Sequence, residues 1–266
     1  MIMKSKGYQE YLRHKRIQKL SILFSQIFIF VFLIFFWELF VSLGIMNSFI
    51  TSSPKMVIET MVDLYFHQHL FHHIWITIYE TLLSFGIGTI LGIFIAILLW
   101  YNAFLAKVID PYLTIFNSLP KVSLGPILII WVGANIQSII LMALLISLII
   151  TIITVYNGFV KTDRNKIKLL MSFQASKWQI LRYLIIPSNY STIISSLKIN
   201  VSMSLIGVIM GELLVSKEGI GYLIMYGSQV FNLNLVITGI IILMILSYLM
   251  YLMISYLEKI LVRDKN

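Results

Sequence analysis

The chain has 266 residues, of which 59% are hydrophobic and 12% charged. An ordinary globular domain runs at about 45–50% apolar and about 25% charged, so a soluble domain is excluded. Lys and Arg number 20 against 11 Asp and Glu, a net charge of +9, and the absence of cysteine removes disulfides, a thiol nucleophile and any thiolate metal site.

A bilayer core of about 30 Å takes about 20 helical residues. Six apolar runs meet that length, at Ser21–Leu43, Trp75–Trp100, Tyr112–Gly133, Gln137–Gly158, Ile193–Val215 and Leu235–Leu257. The first is too long for the apolar region of a secretory signal, about 7–15 residues, and reads as a retained helix. With six alternating spans most basic residues fall on one side. Lys4, Lys6, Arg13, Lys15, Arg16 and Lys19 precede the first span, and Lys107 follows the second. Lys161, Arg164, Lys166, Lys168, Lys177 and Arg182 lie between the fourth and fifth, and Lys259, Arg263 and Lys265 follow the last. Basic residues in short loops stay in the cytoplasm, so both termini are expected inside the cell membrane. The positive charge is therefore a topology signal facing membrane lipid, and no nucleic-acid partner is expected. The chain reads as all-α and polytopic, with a basic segment at 1–20, a transmembrane domain at 21–257 and a tail at 258–266.

Residues 46–74 form the longest external segment, broken at Ser52-Ser53-Pro54 and helical over Val57–Leu70. It carries His67, His69, His72 and His73, imidazoles that could bind zinc or copper. Amphipathic residues beside a membrane surface explain them more simply, because only His69 and His73 share a helix face. In the second span Ser84, Gly88, Gly92 and Ala96 recur every four residues, a small-residue stripe that lets helix backbones approach closely in lipid. The third span is broken by Pro111, Pro120 and Pro126 and must bend, since each proline removes a backbone donor. Lys121 either faces a cavity or snorkels to the interface. Asn117-Ser118-Leu119-Pro120 is the first candidate for lining a translocation path.

The longest internal segment, about 159–192, is predicted to hold a short helix at Ser172–Leu184 ending in Ile185-Ile186-Pro187. Lys177 and Arg182 give it a basic set; Phe173, Trp178 and Leu181 give it an apolar one. It is either a grip for a soluble partner or an interfacial helix resting on anionic lipid. In the fifth span Lys198, Asn200, Ser202, Ser204, Gly207, Gly211 and Glu212 interrupt the apolar run. Asn200, Ser204, Gly207 and Gly211 share a face by their spacing. That face is expected to line the path together with Glu212 near the outer end, with interhelical hydrogen bonding as the alternative.

No G-x-x-x-x-G-K-[ST] phosphate loop, G-x-S-x-G elbow or H-E-x-x-H helix is present. An intramembrane enzyme would need convergent groups at one depth, whereas Glu38, Glu80 and Glu212 are scattered. A pore or anchoring subunit working without ATP would not need a basic loop with aromatic knobs.

Phe173-Gln174-Ala175-Ser176-Lys177-Trp178-Gln179-Ile180-Leu181, followed by Ile186-Pro187, resembles the cytoplasmic coupling loop of permease subunits from binding-protein-dependent ABC importers, most of all the nitrate/sulfonate/taurine type. Matches continue at Trp37-Glu38-Leu39, Ser53-Pro54, Thr81 to Gly92, Asn117-Ser118-Leu119-Pro120-Lys121, Pro126 to Gly133, Gly211-Glu212 and Gly219 to Ile224. The family's loop opens with Glu-Ala-Ala and places a glycine four residues after the last alanine. Here those positions are Lys168-Leu169-Leu170 and Gln174.

The resemblance implies a type I ABC importer-like permease fold that acts as a dimer, with a homodimer expected. Two cytoplasmic ATPase subunits would bind ATP and Mg and grip Phe173, Gln174, Ala175, Ser176, Lys177, Trp178, Leu181 and Pro187. An external binding protein would deliver a small solute, sulfonate-like or otherwise anionic, or alternatively a thiamine-precursor pyrimidine. The path would run through Asn117, Ser118, Lys121, Asn200, Ser204, Gly207, Gly211 and Glu212. The chain itself would carry no cofactor, metal or catalytic residue.

Overall fold

A computed structural model describes residues 6–263, and among these no strand forms. Lys4, Lys265 and the outermost parts of the basic lead-in and the tail lie outside the described residues.

The chain opens with a long helix, α1 (Lys6–Ser42), and a single turn, α2 (Ser48–Thr51). Helix α3 (Pro54–His67) starts three residues before the expected Val57, because Ser53 caps it: the Met56 N–H donates to Ser53 Oγ at 3.3 Å and Pro54 occupies the first turn. The Glu38 carboxylate on α1 accepts the Lys55 N–H at 3.1 Å, so Trp37-Glu38-Leu39 and Ser53-Pro54 meet as a helix-to-helix-start contact.

Helix α4 (Leu70–Tyr101) ends at Asn102, whose side chain accepts the N–H groups of Phe104 and Leu105 at 3.1 Å and so starts α5 (Ala103–Ser118). Pro120 disfavours helical backbone at Leu119, which is extended (φ −64, ψ 138), and α5 stops there. One 3-10 turn (Lys121–Leu124) leads into α6 (Gly125–Val132), which Gly133 terminates at φ +95. The expected third span at Tyr112–Gly133 is therefore two arms, Ala103–Ser118 and Lys121–Val132, meeting at 92°.

Helix α7 (Ile136–Val160), capped by the Asn135 side chain, and α11 (Tyr190–Val215) form the centre with α4. Between α7 and α11 run α8 (Arg164–Ser172), α9 (Lys177–Ile180), a π turn (Leu181–Ile185) and α10 (Ile186–Ser188). Helices α12 (Ile220–Gln229) and α13 (Leu233–Arg263) close the bundle. Among the described residues five helices are long and apolar enough to cross a membrane: α1, α4, α7, α11 and α13. The bent α5–α6 pair brings the total to six if counted as one.

The small-residue stripe on α4 packs on α7. A methyl at Gly88 would lie 2.5 Å from Ser147 Oγ, and one at Gly92 2.6 Å from Thr151 Cγ2. Ser84, Gly88, Gly92 and Ala96 are all buried. Lipid tails are as apolar as leucine, so this close backbone approach, with its dispersion contacts, is what holds the two helices.

Candidate functional site

The excursion between α7 and α11 is built from nested caps. Asp163 starts α8 by accepting the Asn165 N–H at 2.8 Å. The helix closes with Gln174 in the left-handed region (φ +58): the Gln174 N–H donates to the Met171 carbonyl at 2.9 Å and the Ala175 N–H to the Leu170 carbonyl at 3.1 Å. Glycine is the usual residue for this closure, so Gln174 holds the turn at a conformational cost of about 1–2 kcal/mol. Ser176 then opens α9 with a reciprocal cap: its Oγ accepts the Gln179 N–H at 3.3 Å while Gln179 Oε1 accepts the Ser176 N–H at 2.7 Å. The helix expected over Ser172–Leu184 is thus a helix end, a left-handed turn and a new helix start.

These caps sort the segment into two faces. Phe173, Gln174, Ser176, Lys177, Trp178 and Pro187 are exposed and Ala175 is half-buried. Lys177 Nζ sits 5.7 Å from the Tyr101 ring centroid. Leu181 lies on the other face, 0% exposed, packed with Ile180 and Ile185 against Ala96, Val155 and Phe159. It anchors the segment to α4 and α7. Tyr183, exposed beside Arg182, joins the outward aromatic set. Sequence spacing from Trp178 concealed it because the π turn, closed by the Ile186 N–H on the Leu181 carbonyl, shifts the helical register. Asn189 closes the base of the excursion, its Nδ2 donating to Thr162 Oγ1 at 2.7 Å and to the Ile185 carbonyl at 2.9 Å.

The polar face of α11 is buried inside the chain. Asn200 Nδ2 donates to Thr89 Oγ1 on α4 at 2.6 Å, and Ser204 is fully buried. Gly207 abuts Ala143, and a methyl at Gly211 would lie 2.8 Å from Ile139 Cγ2, so both glycines bring α11 against α7. Glu212, 1% exposed, receives the Thr77 hydroxyl at 2.6 Å on Oε1 and the Gly221 N–H at 2.6 Å on Oε2. The Ile220 N–H donates to Thr77 Oγ1 at 2.9 Å and the Gly219 N–H to His73 Nδ1 at 3.0 Å. Three consecutive N–H groups at the start of α12, which have no partner within their own helix, are thereby satisfied from α4 and α11. Gly219 takes φ +97, and a side chain at Gly221 would meet Glu212 Cβ at 2.7 Å, which accounts for Gly219-Ile220-Gly221. Thr77 and Thr89 were absent from the sequence reading, because a single hydroxyl in an apolar helix carries no signal in its spacing; His73 entered it only as one of four histidines, and its role here is to accept the Gly219 N–H.

Asn117, Ser118 and Lys121 lie at the α5–α6 bend. Asn117 and Ser118 are exposed, Lys121 is half-buried, and Lys121 Nζ donates to the Asn117 carbonyl at 2.9 Å, a cation on the carbonyl end of α5. The histidines are dispersed: His67 contacts Asp63 at 3.0 Å, His72 contacts Glu218 at 3.3 Å, and His73 accepts from Gly219. Among the described residues no group of three His, Cys, Asp or Glu converges on a metal position.

Residues 88–263 match the family described as binding-protein-dependent transport system inner membrane component. The chain is 26% identical, over 86% of its length and 83% of the relative's, to a putative aliphatic sulfonates transport permease protein of Bacillus subtilis (strain 168). It is 27% identical to a formylaminopyrimidine transport permease protein of Halalkalibacterium halodurans, over 87% of this chain and 92% of that one. It is 20% identical to the taurine transport system permease protein of Escherichia coli (strain K12), over 84% and 83%. Among solved structures, an inward-facing conformation of the MetNI methionine ABC transporter shares the fold, with a TM-score of 0.62 at 22% identity over 71% of this chain and 94% of that chain.

Proposed function

We infer how this chain works from its kinship: it belongs to the family of binding-protein-dependent transport system inner membrane components, and it is the multi-pass permease subunit of an ABC importer. It is not an enzyme; ATP hydrolysis falls to a separate ATPase subunit. We propose that the segment at 159–192 faces the cytoplasm with both termini, and that two ATPase subunits, which hold the ATP and Mg, grip it. The observation that carries this is the doubly capped turn that presents Phe173, Lys177 and Trp178 outward while Ile180, Leu181 and Ile185 root it in α4 and α7. A rigid knob on a buried root can transmit a push; an interfacial helix resting on lipid would not need the root.

Two copies of the chain would pair, with an external binding protein delivering the solute. The path between them would be lined first by Asn117, Ser118 and Lys121 at the α5–α6 bend. Asn200, Ser204, Gly207, Gly211 and Glu212 are buried against α4 and α7 and would reach it only in a conformation in which α11 has separated from those helices. Lys121 favours an anionic solute such as a sulfonate. A thiamine-precursor pyrimidine is the second reading, supported by the formylaminopyrimidine permease at an identity close to that of the sulfonate permease.

The test is uptake by proteoliposomes holding the chain with its ATPase and binding protein, supplied with labelled taurine, an alkanesulfonate or formylaminopyrimidine. Lys177→Ala with Trp178→Ala should abolish ATP-driven uptake while membrane insertion stays normal. Undiminished uptake by the double variant would refute the docking assignment.

A further inference from the structure

The coupling segment leaves the bundle at Lys161 and returns at Asn189, and beside the Thr162–Asn189 hydrogen bond lies a cavity of about 570 Å³. Its wall is part apolar, with Ile153 and Gly158 from α7, and part polar: Asn157 from α7, Lys161, Asp163 and Lys166 from the turn into α8, and Ser188 and Thr192 where the chain re-enters α11. Asp163 is already committed, its Oδ1 accepting the Asn165 N–H at 2.8 Å. Among the described residues neither Lys161 nor Lys166 has an acidic partner. Two unpaired ammonium groups, an amide and two hydroxyls therefore surround a space of the size that holds small ligands. Against them stands one carboxylate whose hydrogen-bonding capacity is partly spent. Charge-assisted hydrogen bonds from lysine, supplemented by neutral donors, are the chemistry that binds a multi-oxygen anion.

We propose that this cleft is an anion site that takes a tetrahedral oxyanion of net negative charge, carried either by an anionic inner-leaflet lipid headgroup, as distinct from zwitterionic phosphatidylcholine, or by a small soluble anion. An occupant bridging Lys166 at the start of α8 to Asn157 and Thr192 ties the coupling segment to α7 and α11. Occupancy then restrains the segment and slows the transport cycle. The inference rests on the reading that residues 159–192 meet the ATPase in the cytoplasm.

The experiment uses the assembled permease–ATPase complex in phosphatidylcholine nanodiscs, with sodium sulfate compared with sodium chloride at equal ionic strength. A second arm replaces part of the phosphatidylcholine by phosphatidylglycerol, without sulfate. A soluble oxyanion raises the melting temperature by about 3 °C or more in the first arm; a lipid headgroup does so only in the second. In the responsive arm ATP turnover falls about fivefold. Lys161→Gln with Lys166→Gln removes both effects, each response being read against the same variant's own turnover and melting temperature in chloride and phosphatidylcholine. Parent and double variant responding alike, or neither responding, overturns the anion site. A complex that hydrolyses ATP but ignores both anions sinks this proposal alone, whereas failure of any ATPase to bind the permease sinks the coupling reading beneath it.

Discussion

Thr77 and Glu212, 135 residues apart in sequence, are joined by a 2.6 Å hydrogen bond from the threonine hydroxyl to Glu212 Oε1, and the same hydroxyl accepts the N–H of Ile220. A threonine on α4 thus bonds the end of α11 and the start of α12 together. The arrangement uses both lone-pair-bearing oxygens of Glu212, one for Thr77 and one for Gly221.

Glu212→Gln should therefore be disruptive despite its equal size. An amide has one acceptor oxygen where two are in use: keeping it on the Gly221 N–H turns the NH2 toward Thr77 Oγ1, whose proton must then go to the His73 carbonyl, at 3.3 Å a longer bond than the 2.6 Å one it loses. The expected loss is about 1–3 kcal/mol, read by thermal unfolding of the purified permease. Thr77→Val should cost a similar amount, and the double variant less than the sum, because both changes empty the same bond network.

Gly88 and Ser147 supply a test of the α4–α7 contact. Gly88→Ala places a methyl against Ser147 Oγ and should destabilise by about 1–3 kcal/mol. Adding Ser147→Ala removes that oxygen and leaves the Ser147 Cβ at an ordinary 3.5 Å, so the pair should recover most of the loss. Melting temperatures of the two single variants and the double decide it. Lack of recovery would mean that the helices approach elsewhere.

Gln174→Gly should stabilise the turn between α8 and α9 by about 1 kcal/mol, since glycine takes positive φ without strain. Slower hydrogen exchange at the Gln174 and Ala175 amides would report it. Gln174→Val, β-branched at the same φ, should open the turn and reduce the ATPase retained on the purified permease.

Leu181→Ala and Trp178→Ala should separate anchoring from gripping. Leu181 is wholly buried, and truncating it should cost about 2–5 kcal/mol of stability. Trp178 is 57% exposed, so its loss should move stability by no more than about 0.5 kcal/mol while ATP-driven uptake falls. Equal melting losses in the two variants would contradict the two-faced description of the segment.

The sequence was most legible where residue size alone carries the message. Ser84, Gly88, Gly92 and Ala96 have few roles in a lipid-embedded helix besides close packing; all four are buried, and Gly88, Gly92 and Ala96 pack on α7. Asn200, Ser204, Gly207 and Gly211 identified a face just as clearly, yet periodicity names a side of a helix and not what meets it; the partners are Thr89, Ala143 and Ile139. Pro120 announced a break in the third span, but the 92° angle depends on where α5 and α6 pack. The left-handed turn at Gln174 was hidden because glutamine is not the residue that advertises it, and π-turn bonds leave no mark in residue spacing.

From Lys177 to Val215 the backbone is helical apart from a bend at Asn189, with no slack loop between the knob and α11. The short arm holds the residues up to Ser188; the long arm, α11, spans about 39 Å. The two arms meet where Asn189 is pinned to Thr162. Under the proposed coupling, a push on Trp178 would pass to Glu212, where the first turn of α12 is clasped, without a loop between them to absorb it.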